Sequence, residues 1–210
     1  MSVVPDYVEK LNLIFSSLPG IGNKTANRLT FYVLNKKEGE IDEIIKTLVE
    51  VRDNTNFCQN CTFFAKKNSE YCEICANSKR NKSQILVVEN RIDVIALEEL
   101  NFFKGKYHIL NGLISPLKNI LPESLNIQTL KKRLVELSKQ KVEEIEVILA
   151  IDTNIEGEAT ASYMISYIEG LKLKNVKIST LARGLPTGAD LEYTDKDTLQ
   201  NSFINRDNLN

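Results

Sequence analysis

The sequence predicts an α/β fold preceded by a small helical and cysteine-rich region, and three observations carry that prediction. Apolar residues recur at helical spacing over the first 54 residues, four cysteines then fall in two close pairs, and beyond residue 80 short apolar runs alternate with helical stretches. That alternation argues for a mostly parallel, doubly wound sheet, because parallel strands need helical crossovers that cover its faces. The 210 residues suffice for one large domain or two small ones. A hydrophobic content of 42% supports a buried core, and no run of about 18 apolar residues is present to span a membrane. A net charge of −1 provides no general field for nucleic acid, so any such binding must be local or multiplied by assembly.

The first element is an amphipathic helix, since Val8, Leu11, Phe15 and Leu18 recur at spacings of three and four. Pro19-Gly20-Ile21-Gly22 breaks it, and a second helical pattern runs through Ala26, Leu29 and Val33, with Asn23 placed as its cap. Two short helices around a Gly-containing turn match a helix-hairpin-helix. Gly20 and Gly22 allow close backbone approach, and N–H groups at the start of the second helix attract a phosphate. Lys24 and Arg28, four apart, share one helix face and add two charge contacts to the same backbone. An ordinary helical hairpin with a solvated basic face fits the same residues. A third amphipathic run, Ile41, Ile44, Leu48 and Val51, leads into the first cysteine.

Cys58-Gln-Asn-Cys61 and Cys72-Glu-Ile-Cys75 hold all four cysteines of the chain. Each C-x-x-C pair bends into a tight turn and offers two thiolates, which suits one tetrahedral Zn²⁺. A closed four-thiolate site leaves no open coordination position, so the metal is expected to hold structure rather than perform chemistry. Two disulfides, or four unrelated core thiols, are the competing readings. No apolar signal segment opens the chain, so a reducing, cytoplasmic setting is expected, which disfavours disulfides. Hairpin and zinc module are expected to form one compact unit, the metal replacing a core too small to build.

After the basic connector 79–82 the pattern changes. Ile85-Leu86-Val87-Val88 is a continuous apolar run, expected of a strand buried on both faces, and it ends in Glu89. A helix is expected from Ile92 to Leu100, a strand at Tyr107-His108-Ile109-Leu110, and a helix through Ile127, Leu130, Leu134 and Leu137. A strand from Glu146 to Ile151 ends at Asp152; a helix from Gly157 to Glu169 and a strand from Val176 to Leu181 follow. Ligands of open α/β sheets bind beyond the carboxyl ends of strands. Carboxylates brought together there hold Mg²⁺, although strand-end acids also cap helices or simply face solvent. His108, the one histidine, lies inside an expected strand and reads as a packed, hydrogen-bonded residue rather than a ligand or base.

In this order the segments resemble the RecR family of bacterial recombination mediators. The resemblance runs from Leu18-Pro19-Gly20-Ile21-Gly22 to the end, through Val88-Glu89-Asn90-Arg91-Ile92-Asp93, Tyr107-His108-Ile109-Leu110 and Ile114-Ser115-Pro116-Leu117. It continues in Ile155-Glu156-Gly157-Glu158-Ala159-Thr160-Ala161, Ala182-Arg183-Gly184-Leu185-Pro186 and Leu191-Glu192-Tyr193. It implies a helix-hairpin-helix at 1–54, a four-cysteine zinc finger at 55–79, a Toprim domain at 80–181 and a C-terminal segment for subunit contacts at 182–210. Catalytic Toprim proteins hold Mg²⁺ with a strand-end Glu and an Asp-x-Asp. Glu89 fills the first place, while Asp152-Thr153-Asn154 supplies one of two aspartates, so Mg²⁺ is expected to bind weakly and chemistry is not expected. Glu89, Asp152, Glu156 and Glu158 are expected to form an acidic surface for a partner or a weakly held divalent ion. The resemblance implies a non-enzymatic protein that binds DNA and acts with RecO, and with RecF where present. Together they load RecA on single-stranded DNA coated by single-strand-binding protein, with this chain assembling as homodimers or ring-shaped homotetramers. It also implies that Lys24 and Arg28 face the ring opening. The alternative from another class is a Mg²⁺-dependent Toprim nuclease or strand-transfer enzyme.

Overall fold

A computed structural model describes residues 3–140 and 142–206. The chain divides into two compact units, Met1–Thr55 and Asn56–Asn210. The first holds three helices: α1 (Asp6–Ser16), α2 (Asn23–Leu34) and α3 (Glu38–Asn54). Ala26 and Thr30 of α2 are buried, and Asn12 of α1 donates to Asn27 of α2. Leu18 falls beyond the end of α1 and is exposed. In the connection, the Ile21 N–H reaches the Leu18 carbonyl at 3.1 Å, with Pro19 and Gly20 between them. Gly20 has φ +77°. Pro then left-handed Gly is the combination a type II turn requires, so the turn chemistry is explicit in the sequence. Asn23 is not the cap it was expected to be. Gly22 occupies the N-cap with extended backbone, no side chain caps α2, and Asn23 is its first helical residue.

A two-stranded ribbon, β1 (Thr55–Phe57) and β2 (Phe64–Lys66), starts at the unit boundary and is followed by a one-turn helix, α4 (Glu73–Ala76). A four-stranded sheet follows: β3 (Gln84–Val88), β4 (Lys106–Ile109), β5 (Ile145–Ala150) and β6 (Val176–Thr180). Its order is β4-β3-β5-β6 and every pairing is parallel, as the alternating pattern predicts. Helices α5 (Arg91–Glu99), α6 (Ile127–Lys139) and α7 (Ile155–Gly170) make the crossovers, and α8 (Lys196–Ile204) ends the described chain.

Alternation along β3 divides the core. Ile85 and Val87 join Leu130, Leu134, Val147, Leu149 and Met164 in the larger cluster. Leu86 and Val88 join Val94, Phe103, Tyr107 and Ile109 in the smaller one. Both faces of β3 are thereby buried, which is why its sequence is a continuous apolar run. The cysteine module belongs with this unit, not with the helical hairpin as expected. Phe63 and Ile74 pack both against the cysteines and against the smaller sheet cluster. The physical reason is that the sheet supplies the apolar surface so small a module lacks.

Candidate functional site

The cysteine centre is built by local backbone geometry. The Cys58 N–H donates to the Phe63 carbonyl at 2.8 Å, and the Thr62 N–H returns to the Cys58 carbonyl at 2.9 Å. Thr62 takes a left-handed φ of 61° to close this knuckle. The second pair sits at α4, where the Cys72 sulfur caps the helix by accepting from the Cys75 N–H at 3.4 Å. All four sulfurs lie within 4.8 Å of one another, and those of Cys61 and Cys72 are 3.6 Å apart. A tetrahedron with metal–sulfur bonds of about 2.3 Å needs sulfur separations of roughly 3.8 Å. A disulfide needs about 2.0 Å. Geometry and donor set therefore fit a thiolate-seeking tetrahedral ion. Hydrogen bonds from Cys61, Cys72 and Cys75 hold the Cys58 thiol far below its ordinary range, and the same crowding pushes Cys61 far above its own. Four thiolates cannot share so small a space unless a cation lies between them.

Two basic side chains of the sheet region bond to backbone of this centre, and a third, Arg133, lines the same cavity as Cys75. Lys106, at the start of β4, donates to the carbonyls of Ile74 (2.7 Å), Cys75 (3.0 Å) and Asn77 (2.7 Å). Arg91 donates to the Thr62 carbonyl at 2.8 Å and stacks over the Phe57 ring, 4.4 Å from its centroid. Arg133 of α6 donates to the Tyr107 carbonyl at 2.8 Å. Burial pushes the Arg133 guanidinium down, while charge on Cys75 and the other three cysteines pushes it back up. None of the three was singled out from sequence as a site residue. A signal was present for one: Arg133 falls between Leu130 and Leu134, on the apolar stripe of its helix.

The hairpin presents a different chemistry. The N–H groups of Thr25 and Ala26 return to the Gly22 carbonyl, whereas those of Asn23 and Lys24 have no partner among the described residues. A side chain added at Gly20 or Gly22 would meet no atom within 4 Å, so the glycines leave that approach open. Lys24 and Arg28 are exposed, and neither is ion-paired among the described residues. Two exposed cations near uncommitted helix N-terminal N–H groups make this an electropositive helix start, the kind of surface that attracts anions.

Glu89 and Asp152 follow β3 and β5, which are neighbours in the sheet. The chain direction switches sides between these two strands, the place where open α/β sheets form their crevice. Burial pushes the Glu89 carboxyl up, and the charge of Asp152 adds to the effect. Glu156 and Glu158 do not converge with this pair. Glu156 faces Lys118 at 3.5 Å and Glu158 faces Arg183 at 2.6 Å. Among the described residues the cysteines are the one group of three or more ligand-type side chains close enough to share an ion. Asn154, in the place of the second aspartate, caps α7: its side-chain oxygen accepts from the Gly157 N–H at 2.8 Å. His108 is fully buried with its Nε2 2.7 Å from the Asn126 carbonyl, in keeping with a packed role.

The helical hairpin matches the RecR helix-hairpin-helix model over residues 8–52, the sheet matches the Toprim domain over 83–182, and the last segment matches the RecR C-terminal model over 184–206. The chain is also 43% identical over 206 residues to the Recombination protein RecR of Herpetosiphon aurantiacus, covering 98% of this chain and 96% of that protein. The chain belongs to the RecR family. The RecR of Tropheryma whipplei is a second relative, 40% identical over 208 residues, covering 99% of this chain and 98% of its own. Membership in the RecR family spans both compact units, so hairpin, cysteine module and Toprim sheet belong to one architecture. No helix among the described residues is long and apolar enough to cross a membrane.

Proposed function

We propose that the chain is a non-enzymatic, DNA-binding recombination mediator of DNA repair. In this reading it acts with RecO, and with RecF where present, to load RecA on single-stranded DNA coated by single-strand-binding protein. The observation that carries the DNA-binding part is the start of α2, where Lys24 and Arg28 stand exposed beside the N–H groups of Asn23 and Lys24. The names of its relatives supply the recombination role. One hairpin neutralises few phosphates, and each adds only about −0.9 to the logarithmic salt slope on duplex DNA. Tethering several hairpins in a ring makes later contacts intramolecular and raises avidity. Support for assembly comes from α3, in which no residue is buried and Ile44, Ile45, Leu48 and Val51 are exposed. An apolar stripe of that extent on a helix calls for a covering surface, and a second copy of the chain provides it. The ion held by Cys58, Cys61, Cys72 and Cys75 is zinc in this reading, holding structure.

The test is the double substitution Lys24→Glu and Arg28→Glu. Most DNA binding and the repair function should be lost, while metal content, thermal stability and oligomer size are retained. Unchanged affinity in the folded variant would move the DNA site elsewhere.

A second reading is favoured by one observation, the pairing of Glu89 and Asp152 at the switch of the sheet. A Mg²⁺-dependent Toprim nuclease or strand-transfer enzyme would use such a pair. Incubating supercoiled plasmid with the purified protein and Mg²⁺ or Mn²⁺ separates the two: nicking that disappears in Glu89→Gln establishes the enzyme. In the mediator reading the acidic strand ends, with Glu156 and Glu158, serve as a surface for a basic patch on RecO.

A further inference from the structure

Lys106 and Arg133 are the two buried cations among the described residues, 5% and 9% exposed. Buried charges are normally paired, because leaving water without a partner is costly. Neither of these has a carboxylate within ion-pair distance among the described residues. Glu136 lines the same cavity, but it is exposed and forms no ion pair with either. The cavity does bring both cations alongside Cys75 and Asn60 of the cysteine knuckles. Lys106 is bonded directly to the Cys75 carbonyl, and its three N–H groups are all taken by carbonyls around the second cysteine pair. The negative charge nearest to hand is that of the cysteines: four thiolates around a divalent ion would leave two negative charges, which two buried cations would cancel.

We propose that Lys106 and Arg133 are positioning residues of the metal centre, the counter-charge that lets all four cysteines bind as thiolates. Lys106 comes from β4 and Arg133 from α6, so the ion and the α/β sheet stabilise each other through charge. Removing the metal leaves two unpaired cations inside the sheet domain, and its destabilisation extends beyond the cysteine module. An ordinary structural lysine or arginine would have no such link. The proposal rests on reading the cysteine cluster as a metal centre.

The experiment uses the full chain, purified with Zn²⁺, and measures metal affinity by competition with a chromophoric chelator in wild type, Lys106→Gln, Arg133→Gln and Arg133→Lys. Glutamine keeps hydrogen-bond donors and removes charge; lysine at 133 keeps the charge. Each glutamine variant should bind Zn²⁺ about 10- to 100-fold more weakly, the range seen when groups behind metal ligands are removed. Arg133→Lys should stay near wild type. Thermal unfolding after chelation gives an independent reading. The order should invert, with metal-free glutamine variants melting above metal-free wild type because an unpaired buried charge has been taken away. Equal weakening in Arg133→Lys and Arg133→Gln, or wild-type affinity in both glutamine variants, overturns the proposal while leaving the metal centre intact. A folded wild type that holds no metal overturns both. Should a glutamine variant fail to fold, Arg133→Lys decides: full metal retention supports the charge role and loss of metal refutes it.

Discussion

Asn154 has one place in the motif and another task in the fold. In sequence it is the residue where a catalytic Toprim pattern would place a second aspartate; in the fold its oxygen is committed to the first turn of α7. Asn154→Ala should lower stability by about 1 kcal/mol through loss of the cap. Asn154→Asp should cost nothing, since aspartate caps equally well and its charge suits a helix N-terminus. Chemical denaturation of both variants checks this. Gly157, three residues on, is constrained more severely. A Cβ there would lie 1.9 Å from the Asp152 carbonyl oxygen. Gly157→Ala must push the start of α7 away from the end of β5 and should cost at least about 2 kcal/mol. A melting curve matching wild type would show that the helix start shifts freely. Charge reversal at Glu158 is a poor probe of partner binding, because a lysine would face Arg183; Glu158→Gln is the cleaner substitution. His108 makes a pH-dependent contribution. Burial pushes its imidazole down to about 4 from the ordinary 6.5, so the unfolded chain takes up the proton first as pH falls. The stability it contributes is full above pH 6.5 and is lost toward pH 4, on the order of 3 kcal/mol across that window. Denaturant midpoints measured from pH 7 to 4 should fall more steeply in wild type than in His108→Gln.

Legibility differed by element for physical reasons. Strands β3 and β5 are largely apolar because helices cover the sheet, and α6 shows a clear 3.6-residue period, so the alternation and the parallel pairing follow from pattern, whereas the strand order β4-β3-β5-β6 is set by tertiary packing. The ribbon β1–β2 was not legible: its strands are three residues each, too short to show alternation, and its shape is dictated by the knuckles. Helix α8 was missed because it is only nine residues long and its three large apolar side chains, Leu199, Phe203 and Ile204, carry too little pattern to mark it. The cysteine cluster was plain from spacing, whereas Lys106 and Arg91 were hidden, since their bonds to it are set by tertiary contacts that no local pattern encodes. At this scale the cysteine module should unfold with the sheet, not with the hairpin. Cys72→Ala should remove the metal and lower the melting temperature of the whole chain while leaving the hairpin's affinity for DNA in the surviving folded fraction. A sharp, unshifted transition in metal-free protein would contradict this.

For the whole molecule, division after Thr55 puts Lys24 and Arg28 in one unit and the four clustered cysteines in the other. The fragment 56–210 should therefore bind one Zn²⁺ and unfold cooperatively, yet show no salt-sensitive affinity for DNA. Retained DNA binding in that fragment would place the principal contact in the second unit. Apolar exposure along α3 should make the first unit the concentration-sensitive part of the protein if copies assemble through it. Light scattering should show smaller species when Ile45 and Leu48 are both changed to Glu, with DNA affinity falling in step with size. Loss of affinity without a change in size would detach DNA binding from assembly.

The order of residues around the cysteine centre also has a consequence during synthesis. All four thiols lie within one short segment, but Lys106 follows Cys75 by 31 residues and Arg133 comes later still. At ribosomal rates of about 5–20 residues per second, the thiols precede their first buried cation by roughly 2–6 s. If Lys106 and Arg133 are the counter-charge proposed above, the segment lacks it during that interval and its thiols should be open to oxidants that burial in the finished fold excludes. Oxidative damage to this protein should accordingly fall on nascent chains, and a growing cell should lose new copies while those already folded persist.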